Sequence, residues 1–248
     1  MIISDNKQEP ISVNTLSLIR MKRKLSIMLL LPLLLMGSLK AQKGEFQFGF
    51  KAAPNIGWIK PISEGYEGDG ITTGFSWGFV AEYNFSPNYG LSTGFTVTSN
   101  NGKLKYPYAE DTLMGTMYRK YHIKSIELPL ILKMKTKEIG YFVYYGLIGL
   151  GTSFNLSAKA TDDFHVQSPA SFNVTHEPDI KSRINFFRES LIIGIGAQYN
   201  ISSTTHFFGG ITFNNGFTNI LKGKNTVNKA ISEKAISNYL ELNVGILF

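Results

Sequence analysis

SIELPLILKMK, residues 125–135, places an apolar side chain at every second position: Ile126, Leu128, Leu130, Leu132 and Met134. Between them stand Glu127, Pro129, Ile131, Lys133 and Lys135. Period two is the period of a β-strand, whose successive side chains point to opposite faces. One face of this strand is wholly apolar, and the other carries an acid, a proline and two lysines. Whether the apolar face looks inward to a core or outward to lipid decides the fold.

The same alternation recurs at 45–53, 73–85, 89–98, 188–200, 205–214 and 238–248, and the opening strand extends over about 119–135. Residues 140–154 (GYFVYYGLIGLGTSF) are apolar on both faces, so their inward side is not legible. This predicts eight strands of about ten residues, the length that crosses a bilayer at a tilt of about 45°. The connections alternate as well. Segments 86–88, 135–138 and 202–205 are short, whereas those near 54–72, 99–118, 155–187 and 214–237 are long and polar. Short turns at one end and long loops at the other are the pattern of an outer-membrane barrel.

Glycine separates this reading from a soluble, lipocalin-like barrel. Gly74, Gly78, Gly90, Gly94, Gly194 and Gly196 share the polar faces. Glycine is depleted in ordinary strands but suits the crowded interior of a small barrel. The opposite faces carry more Phe, Leu, Ile, Trp and Tyr than a surface in water tolerates. The expected fold is therefore all-β: an eight-stranded antiparallel transmembrane up-and-down barrel. In lipid such a sheet must close, so that every backbone group finds an internal partner. Pro129 conflicts with closure because it offers no N–H. It predicts a bulge or a locally open pairing.

The N-terminus carries a secretory pattern. Lys22, Arg23 and Lys24 precede an apolar stretch from Leu25 to Met36, then GSLKAQ with Ala41 as the expected cleavage position. Residues 1–20 read as an over-extended start, 21–41 as a signal peptide and 42–248 as the barrel. Six of the 25 basic residues and two of the 18 acidic ones lie in 1–41, so the net charge of +7 falls to +3 in the mature chain. Nucleic acid is therefore not an expected partner. There is no cysteine, which excludes disulfides and thiolate sites.

The segment YRKYHIKSIELPLILKMKTKEIGYFVYYGLIGLG (118–151) resembles the PorT-type outer-membrane β-barrel family of Bacteroidetes. The similarity runs over about 44–248, including the terminal strand NYLELNVGILF. It implies the outer membrane, and a tie to type IX secretion or gliding. It also implies that Leu242, Val244, Ile246 and Phe248 form the signal read by the barrel-assembly machinery. Other expected partners are outer-membrane lipid and lipopolysaccharide, and proteins of the envelope or its secretion machinery.

With the apolar rows facing lipid, Lys51, Glu82, Glu127, Lys133, Gln198, Glu241 and Asn243 face the lumen, and Lys135 the lumen or its rim. Eight strands leave just enough width for side chains to fill. The three glutamates are expected to pair with Lys133 or Lys51 as a structural polar cluster. No catalytic, metal or cofactor site is expected. His122, His165, His176 and His206 lack metal-binding spacing. His122 and Ser125 are three apart and point to opposite faces. The expected role is structural or interactive, through long extracellular loops above periplasmic termini. The alternatives are a small porin and a lipid A-modifying enzyme.

Overall fold

The computed structural model describes residues 45–168, 172–202 and 204–248. The expected signal peptide and the stretch before it lie outside the described residues. The strands are β1 (Glu45–Pro61), β2 (Glu67–Gly68), β3 (Thr72–Ser86), β4 (Tyr89–Glu110), β5 (Leu113–Lys135), β6 (Phe142–Ser168), β7 (Phe172–His176), β8 (Phe187–Asn200), β9 (His206–Gly216) and β10 (Ala235–Leu247). Eight of them close a ring of antiparallel neighbours, β1–β3–β4–β5–β6–β8–β9–β10 and back to β1. The last residue completes the seam: Phe248 and Phe48 exchange both backbone hydrogen bonds, at 2.8 and 3.1 Å. The short strands β2 and β7 lie outside the ring, on the edges of β4 and β6.

Side-chain parity follows the alternation read from the sequence. Phe46, Phe48, Phe50, Phe75, Trp77, Leu128, Leu130, Ile193, Ile195, Leu242 and Val244 are exposed on the outside. The structure also resolves 140–154: Phe142, Tyr144, Ile148 and Leu150 face outward, while Tyr145 is buried inside. On β6 the outer apolar row runs from Phe142 to Phe154. That is about 40 Å along the strand, or close to 28 Å of height at a 45° tilt.

Four strands are longer than expected: β1 runs on to Pro61, so that 54–61, read as part of a loop, is strand, and three others extend well beyond the reading. β4, β5 and β6 have 22, 23 and 27 residues. Stretches 99–118 and 155–168, read as loops, are mostly strand. The reason is a reversal of polarity within each strand. On β4 the outward row changes from Leu91, Phe95 and Val97 to Ser99, Asn101, Lys103 and Lys105, and the inward row changes from Ser92, Thr96 and Thr98 to Leu104 and Tyr106. On β5 the change falls between Lys124 and Ile126 outside, and between Ile123 and Ser125 inside. A bulge that leaves Leu156 of β6 unpaired marks the same level. Below it the strands are apolar outside, as lipid requires; above it they are apolar inside, as water requires.

The inward faces of these extensions meet segments near 180–184 and 219–235 over the mouth of the ring. Ile59, Tyr66, Leu104, Tyr106, Met117, Tyr121, Ile123, Ala158, Phe164, Ile180, Ile220 and Leu221 form one buried apolar cluster there. Polar staples hold it. Tyr66 donates to Glu233 (3.0 Å), Arg183 reaches the same carboxylate (3.3 Å), and Asn225 donates to Tyr66 and to the Pro107 carbonyl. The loop end is thus a folded cap.

At Pro129 the ladder stays regular toward β6, where Pro129 faces Gly151, and opens toward β4 between the pairs Ser92–Ile131 and Thr96–Glu127. The missing N–H is on that side, since a strand residue points its N–H and C=O the same way. Thr93 Oγ1 donates to the Pro129 carbonyl at 2.9 Å, and Gly94, at the facing position, has φ +139°. Pro54 does the same on β1. It pairs regularly with Phe75 and opens toward β10 between Ala52–Val244 and Asn55–Glu241.

Candidate functional site in the barrel interior

The residues expected in the lumen lie on the inward rows of their strands. Glu82, Glu127, Lys133, Gln198, Glu241 and Asn243 are buried, and Lys51 is nearly so. Each glutamate has one cation. Lys133 Nζ lies 2.7 Å from Glu82, Lys51 Nζ 3.5 Å from Glu241, and Arg188 Nη1 3.5 Å from Glu127. Asn243 ties the second pair to its neighbours, accepting from Lys51 (3.4 Å) and donating to Thr212 (2.7 Å). Lys135 sits at the turn-end rim and donates to Asn84 at 2.7 Å.

The partner of Glu127 corrects the expectation. It is Arg188, not Lys133 or Lys51. Glu127 Oε2 also accepts from Asn214 Nδ2 (2.9 Å), Tyr239 OH (3.0 Å) and Ser153 Oγ (3.1 Å). Arg188 donates in turn to Asn214 Oδ1 (2.6 Å) and the Ser237 carbonyl (2.9 Å), beneath the Tyr239 ring. A carboxylate taken from water is tolerable only with such charge-assisted bonds. Arg188 was legible by parity, because it shares a face with Gly194 and Gln198. Tyr145 was not, because its strand is apolar on both sides.

The inward glycines make room for these side chains. A Cβ at Gly196 would collide with the Tyr145 ring, one at Gly151 would lie 2.9 Å from the Glu127 carboxyl carbon, and one at Gly216 would lie 3.1 Å from Arg188 Nε. Tyr145 lies over Gly196 and donates to the Gly209 carbonyl at 3.2 Å, with Lys133 Nζ 4.5 Å from its ring centre. The remaining free space offers about 70 Å³ to water centres, room for a few waters.

Farther up, inside the cap, Arg119 pairs with Asp162 (Nε to Oδ1 2.6 Å) between Tyr106 and Tyr121. Burial raises the hydroxyl pKa of Tyr106 well above its usual range and that of Tyr121 to about 12. The histidines form no cluster. His122 faces outward while Ser125 is buried inside, His165 bonds Asp163 (3.0 Å), and His206 bonds Asn200 (2.8 Å). Among the described residues no group of three His, Asp or Glu is placed to hold a metal.

A closed ring with a lipid-compatible exterior and a charge-paired, glycine-seated interior defines a class, the small barrels of the bacterial outer membrane. The profile of the outer membrane protein beta-barrel domain matches residues 40–222, and the chain belongs to that family. Similar solved structures are found at low identity. OprG of Pseudomonas aeruginosa is 13% identical (TM-score 0.49; 82% of this chain, 95% of that one), and the neisserial surface protein NspA is 12% identical (TM-score 0.46; 83% and 98%). Ail of Yersinia pestis is 14% identical (TM-score 0.36; 82% and 99%). No curated protein matches the sequence.

Proposed function

We propose that the chain is a closed, non-conducting outer-membrane barrel that carries a folded head outside the cell, with its termini and short turns in the periplasm. One observation carries this reading: the lumen is obstructed twice, by three buried ion pairs and by the apolar cap above them. The role is then structural or interactive, and the head is the surface offered to envelope partners. The apolar terminal row Leu242, Val244, Ile246 and Phe248 suits the barrel-assembly machinery. We read the chain as a non-enzyme, since Ser125 and His122 lie on opposite faces of one strand.

A narrower role, in type IX secretion or gliding, is suggested by the resemblance of residues 118–151 to the PorT-type family. A deletion strain assayed for secretion and gliding tests it, and intact secretion and gliding reject it. The barrel itself is tested in planar bilayers. Purified protein is expected to give no stable single-channel steps, and large, steady steps would establish a small porin instead. Unchanged lipid A masses in the deletion strain are expected, and altered masses would mark an enzyme.

A further inference from the structure

The outward face of the β4–β5–β6 extension carries a charge pattern that the fold does not need. Lys103 and Lys105 lie on β4, Lys120, His122 and Lys124 on β5, and Lys159 on β6. Lys103 stands directly opposite Lys120, and His122 opposite Lys159. The Lys103–Lys120 pair sets like charges at facing positions, which destabilises a sheet.

Acids border this face, Glu67 opposite Lys105, Asp179 opposite Lys159 and Asp69 beside Lys103, but only Glu67 forms an ion pair with one of its lysines. Glu67 pairs with Lys105 at 2.9 Å, Asp163 with His165 at 3.0 Å, and Asp179 caps the backbone N–H of Lys181 at 2.9 Å. Glu177 lies near His122. Among the described residues, Lys103, Lys120, Lys124 and Lys159 have no carboxylate within 4.0 Å.

Position names the occupant. Lys124 is the first outward residue above Ile126, and Lys159 follows the bulge at Leu156. At about 3.3 Å per residue, Lys124 lies roughly 7 Å and Lys120 roughly 20 Å along the strand from Ile126. With a 45° tilt, that is a layer about 5 to 14 Å above the edge of the apolar belt. The phosphates of a phosphorylated disaccharide lipid stand in that layer. A soluble polyanion has no reason to be met at the hydrocarbon edge.

We propose that Lys103, Lys120, Lys124 and Lys159 bind the phosphates of lipopolysaccharide packed beside the barrel. This rests on the reading above, in which the head faces the outer leaflet. It makes the extension a lipid-anchored wall.

The test uses the whole mature barrel in phosphatidylcholine vesicles containing bisphosphorylated lipid A, or lipid A stripped of its phosphates. Lipid A retained per barrel after extraction is measured by mass spectrometry, with and without dextran sulfate. Each lysine near an anionic surface is worth roughly fivefold in binding. The variant K103Q/K120Q/K124Q/K159Q should therefore retain at least about tenfold less, and the corresponding four-arginine variant should retain it in full. All four residues face outward, so the heat-dependent gel shift of the folded barrel should persist in both. Equal retention by the glutamine variant, or by lipid A without phosphates, overturns the proposal. So does wild-type protein that binds dextran sulfate and leaves lipid A free. Bilayer conductance is independent of these outcomes, so a failure here leaves the closed-barrel reading standing and separately tested.

Discussion

Replacing Glu127 by leucine tests whether the lumen is held by one coupled network. Glu127 accepts three hydrogen bonds of 2.9–3.1 Å and faces Arg188 at 3.5 Å. At an effective dielectric constant near 20, that ion pair alone is worth about 5 kcal/mol before desolvation. Glu127→Leu leaves Arg188 buried without its counter-charge, although Asn214 and the Ser237 carbonyl still receive its N–H groups. The expected loss is about 4 kcal/mol. Arg188→Met leaves a carboxylate that keeps three donors, and should cost about 3 kcal/mol. Independent effects would give about 7 kcal/mol in the double variant. The network predicts about 3, because the double variant buries no unpaired charge and orphans only neutral donors. Urea unfolding of the refolded barrel in thin phosphatidylcholine vesicles, followed by the emission of Trp58 and Trp77, measures all four corners. A double variant near 7 kcal/mol would refute the coupling, and with it the claim that this pair fills the lumen as a unit.

Gly94→Val should weaken the barrel by more than about 2 kcal/mol, since the residue sits at φ +139° and a Cβ would strike the Phe79 carbonyl across the β3–β4 seam. A heat-dependent gel shift at the wild-type temperature would contradict this. Leu104→Ala, at a fully buried site, should cost the cap about 2–5 kcal/mol and leave the membrane section folded. Trypsin should then cut at Lys103 or Lys105 while the core remains resistant, and an uncut head would show that the cap does not depend on this cluster. His122 should titrate below its usual value of about 6.5, because burial first and Lys120 second oppose its protonation while Glu177 favours it weakly. The sign follows from linkage. The unfolded chain takes up this proton first, so the contribution is present above the unfolded pKa and is lost as the pH falls through the folded one. An NMR midpoint at or above 6.5 for His122 would contradict this.

Most of the membrane section was legible because two constraints act on every strand: alternation, and an outer row that must be apolar. All eight strands, and the inward side of seven, followed from that rule. It failed at GYFVYYGLIGLG, where a lumen filled by Tyr145 and lined by glycine is as apolar as the lipid face. It also failed at 99–110 and 113–118. In KLKYPY (103–108) the alternation continues unbroken, but its polarity is reversed, and a search for lipid-facing rows passes over it. The interior partners were half legible. Parity places Glu127 in the lumen, and Lys133, six residues along the same strand, is about 20 Å away and out of reach. The choice of Arg188 over Lys51 depends on the order and register of the strands around the ring. The tilt of a closed ring sets that register, and no local pattern records it.

The reversal of polarity has a consequence for biogenesis. The apolar cluster of the cap is made of segments far apart in the chain, and it lies at the end of the barrel opposite both termini. In the proposed orientation, with the head outside the cell, every one of those segments must cross the bilayer before they can meet. The cluster's Leu, Ile and aromatic residues would have to be exposed again for the chain to withdraw. The head therefore acts as a one-way catch, adding a kinetic barrier to extraction that the equilibrium stability of the membrane section does not measure.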